Sequence, residues 1–356
     1  MSTTESLKVG IVGCGEVVQR WHIPSLLKIT NAEIVAVCDR DEDLAKRVAQ
    51  RFSINKYHAD FSEMLGGEAL DMVDICTSPR SHATLSIQAM GAGCHVLVEK
   101  PMTLSLKEAD EMVNASKENK VKLCVVHSML FEPVVMKART MAREGSIGEL
   151  TGVDLKMAWP HGSDTVLDED HWQHKLPGGV FGEILPHPIY LAQAFLGSLK
   201  TVAVHTRKRS SYDWVVADEL RVILEGEKGM ATINSSCNWP KHAQMLDIFG
   251  TKMNLHLDIW NSILITYGLG GYDLYSLGLQ NLRQAFQRIA GTISNALNMI
   301  SGRFNHGHDT LIRRFVESVQ NGTESPVTAE EAREVVRVFE EITGQIGSKQ
   351  EWVNQH

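Results

Sequence analysis

The chain has 356 residues, 43% of them hydrophobic and 22% charged, with a formal net charge of -8. This length exceeds what one hydrophobic core usually serves, so two domains are expected. The acidic balance, with no dense Lys/Arg cluster, leaves no footprint for nucleic acid, and no apolar run is long enough to span a bilayer.

Met1 to Ser6 carry neither the basic region nor the apolar stretch of a secretory signal, which predicts a cytoplasmic protein. From Leu7 onward short β-rich runs alternate with helical patterns, the signature of βαβ units winding a parallel sheet. Strands are expected over 9–12, 34–38, 72–76, 96–98 and 123–126, nearly continuous in apolar residues as doubly covered strands are. Helices are expected over 24–29, 41–52, 82–92 and 105–119, the last opened by Ser105-Leu106-Lys107-Glu108, a capping-box pattern. The six cysteines, Cys14, Cys38, Cys76, Cys94, Cys124 and Cys237, are scattered along the chain without a C-x-x-C pair, so neither a disulfide framework nor a zinc site is indicated.

After a helix expected over 132–143 and the turn Gly145-Ser146-Ile147-Gly148, the pattern changes to longer alternating runs at 153–157, 202–205, 220–224, 230–234 and 246–249. Glu225 to Gly229 signals a hairpin of the longer-loop kind. Leu282, Phe286, Ile289, Ile293, Leu297 and Ile300 recur at helical spacing, which predicts an amphipathic helix over 279–300, set on the sheet or at a subunit contact in preference to a membrane surface. The expected architecture is thus an α/β Rossmann domain with a doubly wound, mostly parallel sheet over 1–128. An α+β domain with a large, mostly antiparallel, open-faced sheet follows over 129–356, its last helices able to pack back on the first domain.

Gly13-Cys14-Gly15 directly follows the first strand and leads into a helix, where a glycine turn lets backbone N–H groups approach a pyrophosphate. The third small position of the G-x-G-x-x-G/A fingerprint is Val18, which implies a displaced or shifted first helix. Asp39 ends the second strand at the distance suited to a carboxylate on the adenosine ribose of NAD, although it could instead cap the next helix. Arg40 could pair with the 2'-phosphate of NADP, so NAD is favoured and NADP stays open.

Glu99-Lys100-Pro101 ends the fourth strand, at the carboxyl edge where open α/β sheets bind ligands. Together with Thr77-Ser78-Pro79-Arg80-Ser81-His82 and Gly91-Ala92-Gly93-Cys94-His95-Val96-Leu97-Val98, it resembles the glucose-fructose oxidoreductase, inositol dehydrogenase and rhizopine-catabolism family (Gfo/Idh/MocA). The resemblance covers the N-terminal domain well and continues through Phe131, Pro133 and the turn at Gly145. It implies a cofactor set of Gly13, Gly15, Glu16, Val17, Asp39, Arg40, Thr77, Ser78, Pro79, His82, Glu99 and Lys100. Lys100 would lie beside the nicotinamide, Glu99 would position it or face the nicotinamide amide, and Pro101 would fix the turn, through a cis bond if the family pattern holds.

Farther on, Gly178-Gly179-Val180-Phe181-Gly182-Glu183-Ile184-Leu185-Pro186-His187-Pro188-Ile189-Tyr190 looks like the family's glycine pair followed by D-x-G-x-H-x-x-D. His187 matches the catalytic histidine; the acids and the glycine are replaced by Glu183, Tyr190 and Leu185. On a helix Glu183 and His187 would share a face at i, i+4, while Pro186 and Pro188 imply a kink or a late start. Trp159-Pro160-His161, His171, Trp172 and His174 would supply sugar-binding walls of aromatic faces and polar donors, with His127 and Ser128 altering the pocket. No metal is expected. The resemblance implies an enzyme, an NAD(P)-dependent oxidoreductase acting on a secondary hydroxyl or carbonyl of a sugar, cyclitol or sugar derivative, with Lys100, His187 and Glu183 catalytic and a homodimer or homotetramer as the assembly. The alternative is a non-catalytic, nucleotide-binding regulator on the same fold.

Overall fold

The computed structural model describes residues 6–160, 162–271, 273–302 and 304–346, and so leaves His161 outside. By their internal contacts these form two units, one of residues up to 128 with 307–337, the other of 129–306 with the residues from 338 on.

In the first unit β1 (Leu7–Val12), β2 (Ala32–Cys38), β3 (Lys56–His58), β4 (Met72–Ile75), β5 (His95–Val98) and β6 (Leu123–Val125) form one parallel sheet in the order β3-β2-β1-β4-β5-β6. The order reverses between β1 and β4, which opens a crevice at their carboxyl ends. The helix expected from residue 24 begins earlier, as a π-helical turn over Val18–His22 running into α1 (Ile23–Leu26). The wider turn accommodates Val18, which is fully buried where the fingerprint has a small residue. α2 (Glu42–Phe52) is capped by Asp41, whose Oδ1 accepts the Leu44 N–H at 3.0 Å; the capping role considered for Asp39 therefore falls two residues later. α3 (Phe61–Gly67) and β3 were not foreseen, since the one is a short helix ending in two glycines and the other a polar edge strand. α4 (Pro79–Gly91) starts three residues before the expected 82, and α5 (Leu106–Glu118) is capped by Ser105, whose Oγ accepts the Glu108 N–H at 3.3 Å.

The second unit opens with α6 (Pro133–Arg143) and carries a seven-stranded sheet of β7 (Leu150–Pro160), β8 (Leu199–Arg207), β9 (Glu219–Gly226), β10 (Gly229–Trp239), β11 (Ala243–Gly250), β12 (Met253–Asp258) and β13 (Ile263–Gly268), ordered β13-β12-β11-β7-β10-β9-β8. Every pairing is antiparallel except β7 with β10. The β9–β10 hairpin is tighter than expected: Gly226 pairs with Gly229 across the two-residue turn Glu227-Lys228. A Cβ at Gly229 would lie 2.3 Å from the Thr151 carbonyl oxygen, so only glycine lets the turn pass there. α7 (Asp164–Leu167), α8 (Phe181–Ile184) and α9 (Pro186–Leu196) precede β8. α9 covers one face of the sheet, toward which Leu220, Val222 and Leu224 point, while Arg221, Ile223 and Glu225 stand exposed on the other. The long helix α10 (Leu274–Ile300) follows, beginning five residues before the expected 279.

α11 (Gly307–Asn321) returns to the first unit and packs on α1 and the π-helical turn. Asp309 is buried there and accepts hydrogen bonds from Ser25 Oγ and Lys28 Nζ, both at 2.8 Å. α12 (Ala329–Thr343) adds the Arg333 Nε bond to Asp110 at 2.7 Å.

Candidate functional site

The crevice between β1 and β4 is a cleft of about 460 Å³ whose walls include Gly13, Gly15, Asp39, Arg40, Thr77 and Ser78. Gly13 has a φ of +93°, and a Cβ on it would lie 2.6 Å from the Cys76 carbonyl oxygen, so the turn can hug the end of β4 only as glycine. At Gly15 a Cβ would meet nothing within 4 Å, which leaves the backbone open to the cleft. Asp39 braces this turn: Oδ2 accepts the Cys14 N–H at 2.8 Å and Oδ1 the Asp41 N–H at 3.0 Å. A carboxylate so held at the cleft wall can still accept ribose hydroxyls, whereas it repels a 2'-phosphate. The glycine cradle, the open backbone and the carboxylate fit NAD.

Pro79, His82 and Glu99 of the expected cofactor set are turned into the fold. Glu16 and Val17 directly follow Gly15 and are exposed. Pro79 is buried as the first residue of α4. His82 is fully buried, with Nδ1 2.9 Å from the Pro101 carbonyl and Nε2 3.0 Å from the Thr77 carbonyl. Burial holds its pKa down, against the two carbonyls that favour the charged form. Its ring therefore ties the Glu99-Lys100-Pro101 turn to the end of β4 and makes no wall for a ligand.

Glu99 is also turned inward. Its Oε2 accepts the Lys100 N–H at 3.0 Å and its Oε1 accepts Nε2–H of His22 at 2.9 Å; the Lys100–Pro101 bond is cis. Of the two roles expected for Glu99, this geometry serves the positioning of Lys100. The other ring nitrogen of His22, Nδ1, lies 2.8 Å from Asp74 Oδ2 and 3.3 Å from Cys76 Sγ. His22 and Asp74 are completely buried, and Glu99 is 8% exposed. Burial opposes a charged imidazole, but the Asp74 carboxylate and the Cys76 sulfur outweigh it and raise the His22 pKa well above its ordinary value. Burial likewise opposes ionisation of Glu99, yet His22, with help from His308 and Lys100, brings its pKa down to about 2. The picture is an imidazolium shared by two carboxylates. The same side chains lie close enough to share a cation, but hydrogen-bond distances from both ring nitrogens to carboxylate oxygens are those of two N–H donors. His308 completes the cluster, stacked on Trp21 at 5.3 Å and 3.8 Å from Glu99 Oε1.

His22, Asp74 and His308 were missed in the sequence. Asp74 had a signal, a carboxylate inside the otherwise apolar Met72-Val73-Asp74-Ile75; His308 had none, because the chain brings it back from far away. His127, expected to touch substrate, sits buried past the end of β6, where burial pushes its pKa down to about 3 against the pull of Glu99.

In the second unit Gly178 and Gly179 adopt φ of +76° and +61° and turn the chain into α8. The expected kink is slight: Leu185 keeps helical angles, its N–H bonds to the Phe181 carbonyl at 2.9 Å, and α9 starts at once with Pro186, whose missing donor is harmless at that position. Glu183 and His187 therefore stand one turn apart, as expected. His187 is 8% exposed, and its Nδ1 lies 2.7 Å from Tyr190 Oη. Tyr190, where the family pattern has an acid, thus supplies a neutral partner to the imidazole, and its Oη also accepts the Met129 N–H at 3.3 Å. The aromatic residues fall into separate groups. Trp159 meets His242 edge-on at 5.9 Å, and His242 stacks on Trp260 at 5.2 Å. His171 lies between Trp172 and His174, at 6.0 and 6.5 Å, with its Nδ1 buried and without a hydrogen bond among the described residues.

Two family models match the chain: an oxidoreductase family with an NAD-binding Rossmann fold over residues 7–127, and the GFO/IDH/MocA C-terminal domain over 135–256. Oxidoreductase P35 of Formosa agariphila is 28% identical over 197 residues, 54% of this chain and 61% of that protein. The D-apiose dehydrogenase of Paraburkholderia graminis is 35% identical over 147 residues, 41% of this chain and 39% of that protein. The matches thus span less than two thirds of either relative. Oxidoreductase YrbE of Bacillus subtilis is 24% identical over 344 residues, covering 94% of this chain and 93% of its own. Among solved structures, the WlbA dehydrogenase from Bordetella pertussis, in complex with NADH and UDP-GlcNAcA, superposes with a TM-score of 0.79 at 19% identity, covering 97% of this chain and 96% of that one. At that identity the likeness is one of fold.

Proposed function

Because the chain belongs to the Gfo/Idh/MocA family of NAD-binding oxidoreductases, we propose that it is an NAD-dependent dehydrogenase acting on a secondary hydroxyl of a sugar, cyclitol or sugar derivative. The observation that carries this reading is Lys100, set at the carboxyl edge of the sheet by a carboxylate whose own charge is secured from behind by His22. Bound NAD supplies the hydride acceptor or donor. Lys100 orients the substrate oxygen and lowers the energy of its developing negative charge. His187 exchanges the hydroxyl proton: with Nδ1 held by Tyr190, the exchange falls to Nε2, and Glu183, one turn earlier, supports the charged ring. We assign Trp159 and, in a separate group, Trp172, His171 and His174 to the sugar side. We place the enzyme in the cytoplasm as a homodimer or homotetramer; among the described residues no helix is long and apolar enough to cross a membrane.

The test is mass-spectrometric screening of pooled polyols, sugars, cyclitols and sugar nucleotides with NAD or NADP, using wild type and Lys100→Met. Loss of two hydrogens from one compound with wild type alone is expected, with NAD binding by Lys100→Met nearly unchanged. Turnover retained by Lys100→Met removes Lys100 from the mechanism. No change in any pool, despite nicotinamide binding, overturns the enzyme in favour of a regulator.

A further inference from the structure

α10 turns its polar side to its own chain and its apolar side away from it. The residues with partial cover, among them Gln280, Gln284, Gln287, Gly291, Asn295 and Asn298, recur every three or four positions. Gln287 Oε1 accepts the Thr266 N–H at 2.9 Å and its hydroxyl at 3.1 Å, and Asn295 Nδ2 donates to the carbonyls of Asn261 and Ser262, both at 2.9 Å. At Gly291 a Cβ would stand 3.8 Å from Ile263, ordinary contact distance, so the helix lies against the start of β13 there. Amide side chains therefore fasten the helix along β13, and no α10 residue is buried.

The opposite face carries Leu279, Leu282, Phe286, Ile289, Ile293 and Ile300, each 56–85% exposed. With Ala296 these are spaced alternately by three and four residues through three heptads, the spacing of a helix-pairing seam. With their neighbours Leu274, Tyr275 and Leu297 they present on the order of 1,000 Å², against about 800 Å² per partner in a stable interface of standard size and a few hundred on a typical monomer. The occupant must be apolar and indifferent to charge, for α10 has no acidic residue and only Arg283 and Arg288 are charged. An anionic membrane would call for a basic polar face; here that face consists of amides already engaged with β13, in a chain of net charge -8.

We propose that this face of α10 is a self-association surface, on which α10 of a second copy of the chain packs seam to seam about a two-fold axis. The inference rests on the oligomer proposed above and not on catalysis.

The experiment is light scattering and sedimentation of the full chain, wild type against Phe286→Glu/Ile293→Glu, with circular dichroism and NAD binding as checks on folding. The expected result is that the variant has half the wild-type mass while both checks are unchanged. A variant of unchanged mass assigns the oligomer to another surface and overturns the proposal while leaving the dehydrogenase untouched. A monomeric wild type also overturns it, and pelleting of that monomer with phosphatidylcholine/phosphatidylserine vesicles, lost in the variant, would hand the face to a membrane. Should the variant misfold, Phe286→Cys with a short bismaleimide must yield a cross-linked dimer absent from wild type; its absence refutes the pairing.

Discussion

Replacing His22 by glutamine tests whether the charge buried behind Lys100 is structural support. The substitution removes the one cation between Asp74 and Glu99, leaving two buried carboxylates facing a neutral amide. The displacement of Glu99 from the ordinary 4.5 to about 2 corresponds to about 3 kcal/mol, and breaking a buried pair by removing one partner costs about 3–5 kcal/mol. For a unit of this size that is a fall of about 10 °C in Tm. The pH dependence follows from the two shifts. The contribution of Glu99, whose pKa is depressed on folding, is present above its unfolded value and disappears as pH falls toward about 2. The contribution of His22, whose pKa is raised on folding, is complete below about 6.5 and disappears as pH climbs through the higher folded value. The gap between wild type and His22→Gln should therefore be widest between about pH 4.5 and 6.5 and close on both sides. Urea unfolding at a series of pH values, with kcat and NAD affinity measured alongside, checks this. Since Glu99 also holds the Lys100 N–H, kcat should fall about 100-fold, as expected for a reacting group displaced by about an ångström, while NAD affinity changes little. A variant within about 1 kcal/mol of wild type at every pH would show that the imidazolium contributes no net stability.

Gly13→Ala must move the turn off the Cys76 carbonyl and should abolish NAD binding measured by calorimetry, with about 2 kcal/mol or more of stability lost. Gly15→Ala, with open space around its Cβ, should leave Tm unchanged and weaken only NAD binding; equal effects at both positions would contradict the cradle. Tyr190→Phe removes the hydroxyl that meets His187 Nδ1 and the Met129 N–H. It should cost about 1–3 kcal/mol in chemical unfolding and lower kcat about 10-fold as the ring loses its orientation; an unchanged kcat would remove Tyr190 from the support of His187.

Elements with strong periodicity were legible in the sequence. The five apolar strands of the first sheet could be read because burial on both faces leaves little room for polar residues, and Ser105 signalled α5 through a cap that needs only local geometry. β3 and α3 escaped because a polar edge strand and a short helix ending in Gly66-Gly67 show no period. In the site, the turn at Gly13 and Gly15 and the place of Asp39 could be read because the demand on each is backbone conformation or spacing, whereas Lys100 stood out only through the resemblance carried by Glu99-Lys100-Pro101. His82 was misread: a histidine one turn into a helix after a Thr-Ser-Pro turn looks the same in sequence whether it meets a ligand or two carbonyls. The partnership of His22 with Asp74, Glu99 and His308 was invisible because four separate segments build it. α10 could be read as amphipathic, but amphipathicity does not tell which face turns inward, and here the polar one does.

The strand order of the second sheet sets an order of events during synthesis. β7 is the central strand, yet both of its neighbours, β10 and β11, lie downstream of it. Roughly seventy residues separate the end of β7 from the start of β10, so at about 5–20 residues per second the ribosome leaves β7 without either neighbour for on the order of 3–14 s. During that wait its alternate apolar side chains, Val153, Leu155 and Met157, are exposed along with two open edges. A strand paired on both edges in the finished sheet is thus, during translation, open to wrong partners on both.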